Sequence, residues 1–316
     1  MGTSASAVHA ANRPEPQGYR HRAVVYRGDD GFVDALAPFV RQGIDRDEPT
    51  LVAVVQPKID LLRRALGRRA ASRTTVEFVD MADLGRNPAH IIPAWVDFVA
   101  AHDHQPMRGV GEPIWAGRRA AEVVECQLHE ALLNVAVDAT TPFDLRCPYD
   151  ELALDVDVID EAHRSHAHRS TPHHGRRHIE RLFTAELPAA PDGALAVPFS
   201  ASDLRPVRDA VRAGAADLAA EITDDLVLAV HEVATNSVVY GGGNGVLRLW
   251  DDRAAGAFVV EIADGGRIDD PLAGRLPPDP AHTGGRGLWL AHRMCDLVQV
   301  RSSATRGTTV RITTWR

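Results

Sequence analysis

Cysteine is scarce: 316 residues contain only Cys126, Cys147 and Cys295. An odd number at wide spacing excludes a disulfide framework and suits a reducing compartment. Long hydrophobic runs are also missing, and none approaches the ~18 residues a membrane span takes. There is no surplus of basic charge, the formal net charge being -8. Phosphate-backbone binding needs clustered excess Lys and Arg, so direct nucleic-acid binding is not expected. The opening stretch, MGTSASAVHAANRPEPQGYR, has no continuous apolar core. It reads as a disordered tail over residues 1–17 rather than a signal peptide, and a cytoplasmic protein is expected. No GxxxxGK[ST] occurs, which excludes a Walker P-loop. What is present is ordinary globular composition, 45% hydrophobic and 25% charged, at a length that predicts two domains.

From Arg22 the chain alternates between two patterns. Short β-branched or apolar runs stand at 22–26, 50–55, 75–79, 107–110 and 143–147, with helical segments predicted over 31–45, 58–66, 88–101 and 118–137. This alternation predicts a doubly wound, mostly parallel α/β sheet. Ligands of such sheets bind beyond the carboxyl ends of the strands. That edge would carry Arg27–Asp30, Gln56–Lys58, Asp80–Asp83 and Gly109–Trp115. Gly109-Val110-Gly111 fits a tight turn after a strand as well as a ligand loop. Glu125 and His129, four apart with Glu112 upstream, match a metal-ligand spacing, but charge pairing on a helix surface explains them more simply.

Residues 166–194 read as a linker rich in His, Arg and Pro. Six histidines fall between His163 and His178, while Pro172 and Gly175 are expected to interrupt any helix. A solvated connection follows, without the unbroken helical hairpin in which a sensor histidine kinase presents its phospho-accepting histidine.

The second half is organised around DLVLAVHEVATNSVVYGGG, residues 225–243, predicted as a helix opened by aspartates and closed by glycines. Leu226, Leu228, Val230, Val233, Val238 and Val239 cover most of its circumference, so much of it is expected to be buried. Glu232 and Asn236 lie one turn apart on one face and need a polar counterpart there. A helix from Ser202 to about Glu221 precedes it; strands at 246–250, 258–263, 297–301 and 308–313 and a helix at 288–295 follow. Helices beside a mainly antiparallel sheet predict an α+β two-layer sandwich. Three further clusters stand in order behind Glu232 and Asn236. Asp264-Gly265-Gly266 ends a strand, where a carboxylate can accept an amine proton and glycine admits a flat ring. Thr283-Gly284-Gly285-Arg286-Gly287-Leu288 opens a helix, whose N-terminus favours phosphate, after the eighteen Pro- and Gly-rich residues Arg267–Gly284. Arg306-Gly307-Thr308-Thr309 enters the last strand.

Two resemblances follow from these residues. The segments HRAVVYRGDDGFVDALAPFVRQGIDRDEPTLVAVVQP, GRNPAHIIPAW, GVGEPIWAGR and ECQLHEALLN resemble the MEDS sensory domain, over residues 18–165. This implies a RecA-like α/β sensor without catalysis, open to a small-molecule signal. The series ExxxN, DxG, flexible loop, GxGL and GT resembles a GHKL (Bergerat-fold, HATPase) domain over residues 195–316, and within it the anti-sigma-factor serine/threonine kinases. The resemblance implies ATP and Mg²⁺ as cofactors. Asn236 would be the Mg²⁺ ligand, Glu232 the catalytic base, and Asp264 with Gly266 the adenine site. Gly285, Arg286, Gly287 and Leu288 would wrap the phosphates, and Thr308 or Thr309 would touch the base. Ile268 departs from the fuller DxGxG pattern. Implied partners are a sigma factor and an anti-anti-sigma (STAS-domain) protein, and related kinases form homodimers. A module that binds ATP and sequesters a partner without phosphoryl transfer is the alternative.

Overall fold

The computed structural model describes residues 18–67, 75–102, 105–166, 172–278 and 285–316, the side chains of 172–174 excepted. The expected tail, residues 1–17, lies outside them. Among the described residues no helix is long and apolar enough to cross a membrane.

The first sheet is five-stranded and parallel throughout, in the order β1-β5-β4-β2-β3. Its strands are β1 (Arg20–Tyr26), β2 (Thr50–Val54), β3 (Val76–Asp80), β4 (Met107–Gly111) and β5 (Phe143–Asp150). Every residue of β2 is buried, as its unbroken apolar run requires of a strand covered on both faces. Helices α1 (Gly28–Asp45) and α2 (Gln56–Leu66) pack with Tyr26, Val52, Val54 and Val110 on one face. After the single turn α3 (Met81–Leu84), α4 (Ile91–Ala101) and α5 (Ala120–Ala136) cover the other. The predicted doubly wound sheet is therefore present. Gly109 and Gly111 are packing positions: a Cβ on either would press to 2.9 or 2.7 Å of the Trp95 ring.

The connection to the second half is more ordered than its composition suggests. Helix α6 (Val156–His166) buries Glu161, Ala162 and Ser165, and α7 (Pro172–Phe183) follows. Pro172 opens α7 instead of breaking it, since the first turn of a helix needs no N–H from that residue. His178 is buried against Glu161, 2.9 Å away, so this histidine is not part of a solvated linker.

The second sheet is antiparallel, β6-β7-β8-β10-β9. It comprises β6 (Leu195–Ser200), β7 (Asn244–Asp252), β8 (Ala257–Asp264), β9 (Leu297–Ser303) and β10 (Gly307–Trp315). One face carries α8 (Leu204–Gly214), α9 (Ala220–Tyr240) and α10 (Arg286–Met294). This is the expected two-layer sandwich, with differences in detail. Strand β6 is not among the expected strands. Helix α8 stops at Gly214, and α9 begins at Ala220, five residues before Asp225, where the helix was expected to open. Leu228 and Val239 are 42% and 59% exposed, so α9 buries a stripe and not most of its circumference. Small residues, Ala229, Ala234 and Ser237, complete that stripe and let the helix lie close on the sheet.

The two halves meet along α5. Its Glu125 is buried and accepts hydrogen bonds from Arg275 (2.8 Å), Arg301 (2.5 Å) and Gln299 (3.4 Å), all from the second half. Surface charge pairing with His129 is thus corrected: both side chains are buried, and the carboxylate bridges the halves. Burial alone would raise the Glu125 carboxyl, but the two guanidinium groups outweigh it and hold the carboxyl below its ordinary range. Asn87 makes a second tie: its amide donates to the carbonyls of His292 (2.7 Å) and Cys295 (2.9 Å), groups left open at the end of α10. Replacement Glu125→Gln leaves two buried guanidinium groups without a counter-charge. A loss of roughly 3–5 kcal/mol is expected, read as a lower urea midpoint; an unchanged midpoint would refute the buried-bridge account.

Candidate nucleotide site

Glu232 and Asn236 project from the half-exposed face of α9 toward the start of α10. Gly287, the second residue of α10, lies directly against them. A Cβ there would stand 3.0 Å from Asn236 Nδ2 and 3.1 Å from Glu232 Oε2. Gly285 caps the helix in the left-handed conformation, φ 84°, which glycine adopts without strain. A helix N-terminus with free N–H groups thus abuts a carboxylate and an amide, the arrangement an anion with a bridging cation requires. Arg286 is exposed, and Leu288 is half-buried against the core. Thr283 and Gly284 lie outside the described residues. The loop leading toward them is docked: Gly274 packs on Leu288, and Arg275 is the residue held by Glu125.

Asp264 ends β8 beside the C-terminus of α9. Ser237 Oγ donates to its Oδ2 at 2.6 Å, and the Gly266 N–H donates to its Oδ1 at 2.8 Å. These bonds fix the carboxylate while each oxygen keeps acceptor capacity for an incoming amine. A Cβ on Gly241 would come within 2.5 Å of Asp264 Cγ, so the glycine closing α9 is what admits the carboxylate. Thr308 pairs with Asp264 across the β8–β10 ladder, and its hydroxyl reaches the Gly266 carbonyl at 3.0 Å and Ser302 Oγ at 2.8 Å. The same Ser302 Oγ accepts from the Ile268 N–H at 2.8 Å. The turn is thereby anchored at the residue that departs from the glycine pattern. Strand alternation separates the two threonines. Thr308 shares the helix-covered face with Val310 and Ile312, whereas Thr309 lies with Arg311 on the opposite face, away from Asp264.

The structure accordingly brings Glu232, Asn236 and Gly287 together at the start of α10, and Asp264, Gly266 and Thr308 together beside the C-terminus of α9. Thr309 is not among them. Sequence reasoning missed Ser237, Gly241 and Ser302. Ser237 had a legible signal, a hydroxyl on the buried stripe one residue after Asn236; Ser302 had none, because only strand pairing brings it near Ile268.

At the carboxyl edge of the first sheet, β2 and β4 are neighbours whose following helices lie on opposite faces, the switch point where such sheets bind ligands. There Lys58 donates to both Tyr26 Oη and Glu112 Oε1, and the Tyr26 hydroxyl lies 3.2 Å from the same Glu112 oxygen. Burial pushes the Glu112 carboxyl up to about 7 against the pull of Lys58 and Tyr26. Glu112 is thus separated from Glu125 and His129, with which its spacing had associated it.

Two outcomes are expected. Gly287→Ala gains about 1 kcal/mol of helix propensity, which offsets crowding against Asn236 and Glu232, so stability should change little. ATP affinity measured by calorimetry should nevertheless fall about tenfold, equivalent to ~1.4 kcal/mol; unaltered affinity would place the nucleotide elsewhere. For Glu112, the folded chain retains a proton between the ordinary 4.5 and about 7 that the unfolded chain has lost. The folded state binds more protons there, so stability declines as pH rises through that window. Urea unfolding at about pH 5 and about pH 8 should show a smaller decline for Glu112→Gln than for wild type.

Comparison with known families agrees with both halves. Residues 20–167 match the MEDS family, described as the MEthanogen/methylotroph, DcmR Sensory domain. Residues 197–314 match the histidine kinase-like ATPase domain. No curated protein matches the chain. The second match supports an ATP-binding regulatory function for this half of the chain. The chain combines a MEDS domain with a histidine kinase-like ATPase domain.

Proposed function

We propose that the second domain is a protein serine/threonine kinase acting as an anti-sigma regulator. It switches between a sigma factor and an anti-anti-sigma STAS-domain protein, in the cytoplasm. The observation that carries the reading is the Glu232 carboxylate one turn from Asn236 and against Gly287. Nucleotide binding alone does not require a base beside a metal-ligand amide.

Asn236 would hold Mg²⁺ through its amide oxygen, a ligand suited to that hard ion. Asp264, fixed by Ser237 and Gly266, would accept from the adenine amine, with Thr308 beside it. The N–H groups opening α10 would face the phosphates, and Arg286 lies at that helix start to offset their charge. Bound MgATP would supply the γ-phosphoryl group and neutralise part of its charge; the protein's share is largely positioning. Glu232 would orient the substrate hydroxyl and take its proton.

The sensory domain would set the state of this site through the contacts that hold α10 and its loop. Glu125 grips Arg275 in the loop before α10, while Asn87 grips the carbonyls at the helix end. A small molecule at the β2–β4 edge, near Lys58 and Glu112, would act through those ties. A homodimer is compatible with this scheme.

Transfer of labelled γ-phosphate from MgATP to STAS-domain proteins tests the reading. Wild type should label a serine or threonine; Glu232→Ala should bind ATP without labelling, and Asn236→Ala should lose Mg²⁺-dependent binding. Tight ATP binding with no label on any STAS or sigma partner would leave a nucleotide-gated binding module instead. Absence of ATP binding in the folded protein would end both readings.

A further inference from the structure

A second constellation lies inside the first domain, away from the nucleotide cleft. His21 from β1, Glu130 from α5, Cys147 from β5 and His166 from the end of α6 converge, one ligand-type atom from each lying within 4.8 Å of every other. His21, Glu130 and Cys147 are buried, and the His166 side chain is 4% exposed. His21 Nε2 stands 3.2 Å from Cys147 Sγ and 3.4 Å from Glu130 Oε2, and His166 Nε2 stands 2.9 Å from Glu130 Oε2. Tetrahedral ligands at zinc bond lengths of ~2.0–2.3 Å sit roughly 3.3–3.7 Å apart; three of the six separations here are 2.9–3.4 Å and the others are within 4.8 Å, so small side-chain shifts would admit an ion.

The surroundings determine which way the lone pairs point. Asn134 donates its amide nitrogen toward the carbonyls of Glu130 (3.3 Å), Ala131 (3.3 Å) and Ser165 (2.9 Å). Its Oδ1 therefore faces His21 Nδ1 at 3.2 Å and accepts the proton there. His166 Nδ1 likewise donates to the Ala162 carbonyl at 2.7 Å. With both Nδ1 atoms engaged as donors, Nε2 is the atom each ring turns into the cluster, as outer hydrogen bonds arrange for metal-binding histidines. The Tyr149 hydroxyl donates to Glu130 Oε2 at 3.1 Å, holding the carboxylate from behind. His166 Nε2 nevertheless has no hydrogen-bond partner among the described residues: its close approach to Glu130 lacks the direction of such a bond. The Cys147 thiol can donate to His21 Nε2, but His166 Nε2 and the Glu130 carboxylate still face the same small volume, and a single cation there would engage all four groups at once.

We propose that His21, Glu130, Cys147 and His166 form a site for one divalent transition ion of the Zn²⁺ class. Two nitrogens, one sulfur and one oxygen suit a borderline-soft ion in four-coordinate geometry and not Mg²⁺ or Ca²⁺. On binding, the thiol of Cys147 releases its proton to solvent and the thiolate takes up the ion. One dication, one thiolate and one carboxylate then sum to zero charge, which a buried site requires. The ion would join β1, α5, β5 and α6, and α5 is also the helix whose Glu125 reaches the second domain.

The test uses the full chain without an affinity tag. Metal content is measured on the purified protein, which is then stripped with a chelator and titrated with Co²⁺. Wild type should bind one equivalent tightly, with the intense visible bands of a four-coordinate ion and a thiolate-to-metal charge-transfer band. Cys147→Ser should lose the charge-transfer band, while Cys126→Ser and Cys295→Ser keep it. Asn134→Ala should weaken binding about 10- to 100-fold through loss of the outer hydrogen bond. The sulfur signature separates this site from binding at His168, His173 and His174, which follow in the sequence and offer no thiolate. Circular dichroism and ATP binding monitor the fold of each variant. Folded wild type that takes up no stoichiometric Co²⁺, or a charge-transfer band that persists in Cys147→Ser, would overturn the proposal. In that case the four side chains form a metal-free polar cluster only.

Discussion

A carboxylate sealed between two guanidinium groups holds the halves of this protein together. Glu125 sits on α5, the helix that closes one face of the parallel sheet, and its side chain points out of that domain into the next. Removing a carboxylate from water is costly, and two buried arginines are no cheaper alone. Each is tolerated because the others are present, so Arg275 and Arg301 must arrive together with Glu125. The constraint is geometric as well as electrostatic. Arg301 lies on the edge strand β9, which would otherwise expose unpaired backbone groups. Arg275 lies in the loop that runs toward α10, so satisfying one buried charge positions both a sheet edge and a loop.

Helix α10 is where these constraints reach the chemistry. Its N-terminus abuts Glu232 and Asn236 because Gly287 has no side chain to hold them apart. At its far end the open carbonyls are satisfied by Asn87, a residue of the other domain. A short helix with its loop and its C-terminus both held by the sensory domain cannot shift without disturbing that domain. The contacts that join the two domains at this helix are few and identifiable: Glu125 with Arg275, and Asn87 with the carbonyls of His292 and Cys295.

The first domain places polar groups in two distinct settings. At the β2–β4 switch point, Lys58, Tyr26 and Glu112 meet at the carboxyl edge of the sheet. Deeper, between the sheet and α5, histidines, a thiol and a carboxylate converge with their lone pairs directed inward. The first is a largely buried polar cluster at the carboxyl edge of the sheet. The second depends on α6 carrying His166 to the other three side chains, next to a stretch whose composition suggested only a solvated connection.

Local pattern was enough to read the two fold classes, the parallel sheet and the order ExxxN, DxG, GxGL and GT, because periodicity and glycine placement act over a few residues. Glu232 and Asn236 were legible for the same reason: four-residue spacing on a helix is a local fact. What sequence alone did not decide were contacts between residues distant along the chain. Spacing suggested a surface pair in Glu125 and His129, yet burial and two arginines more than 140 positions later made Glu125 the link between domains. Thr308 and Thr309 were equivalent as neighbours in sequence. The pleat of β10 and its register against β8 put one beside Asp264 and turned the other away. His21, Glu130, Cys147 and His166 carry no spacing signature, because four separate elements bring them together. Propensity and pattern are properties of short stretches, while burial, register and the company a charge keeps belong to the assembled chain.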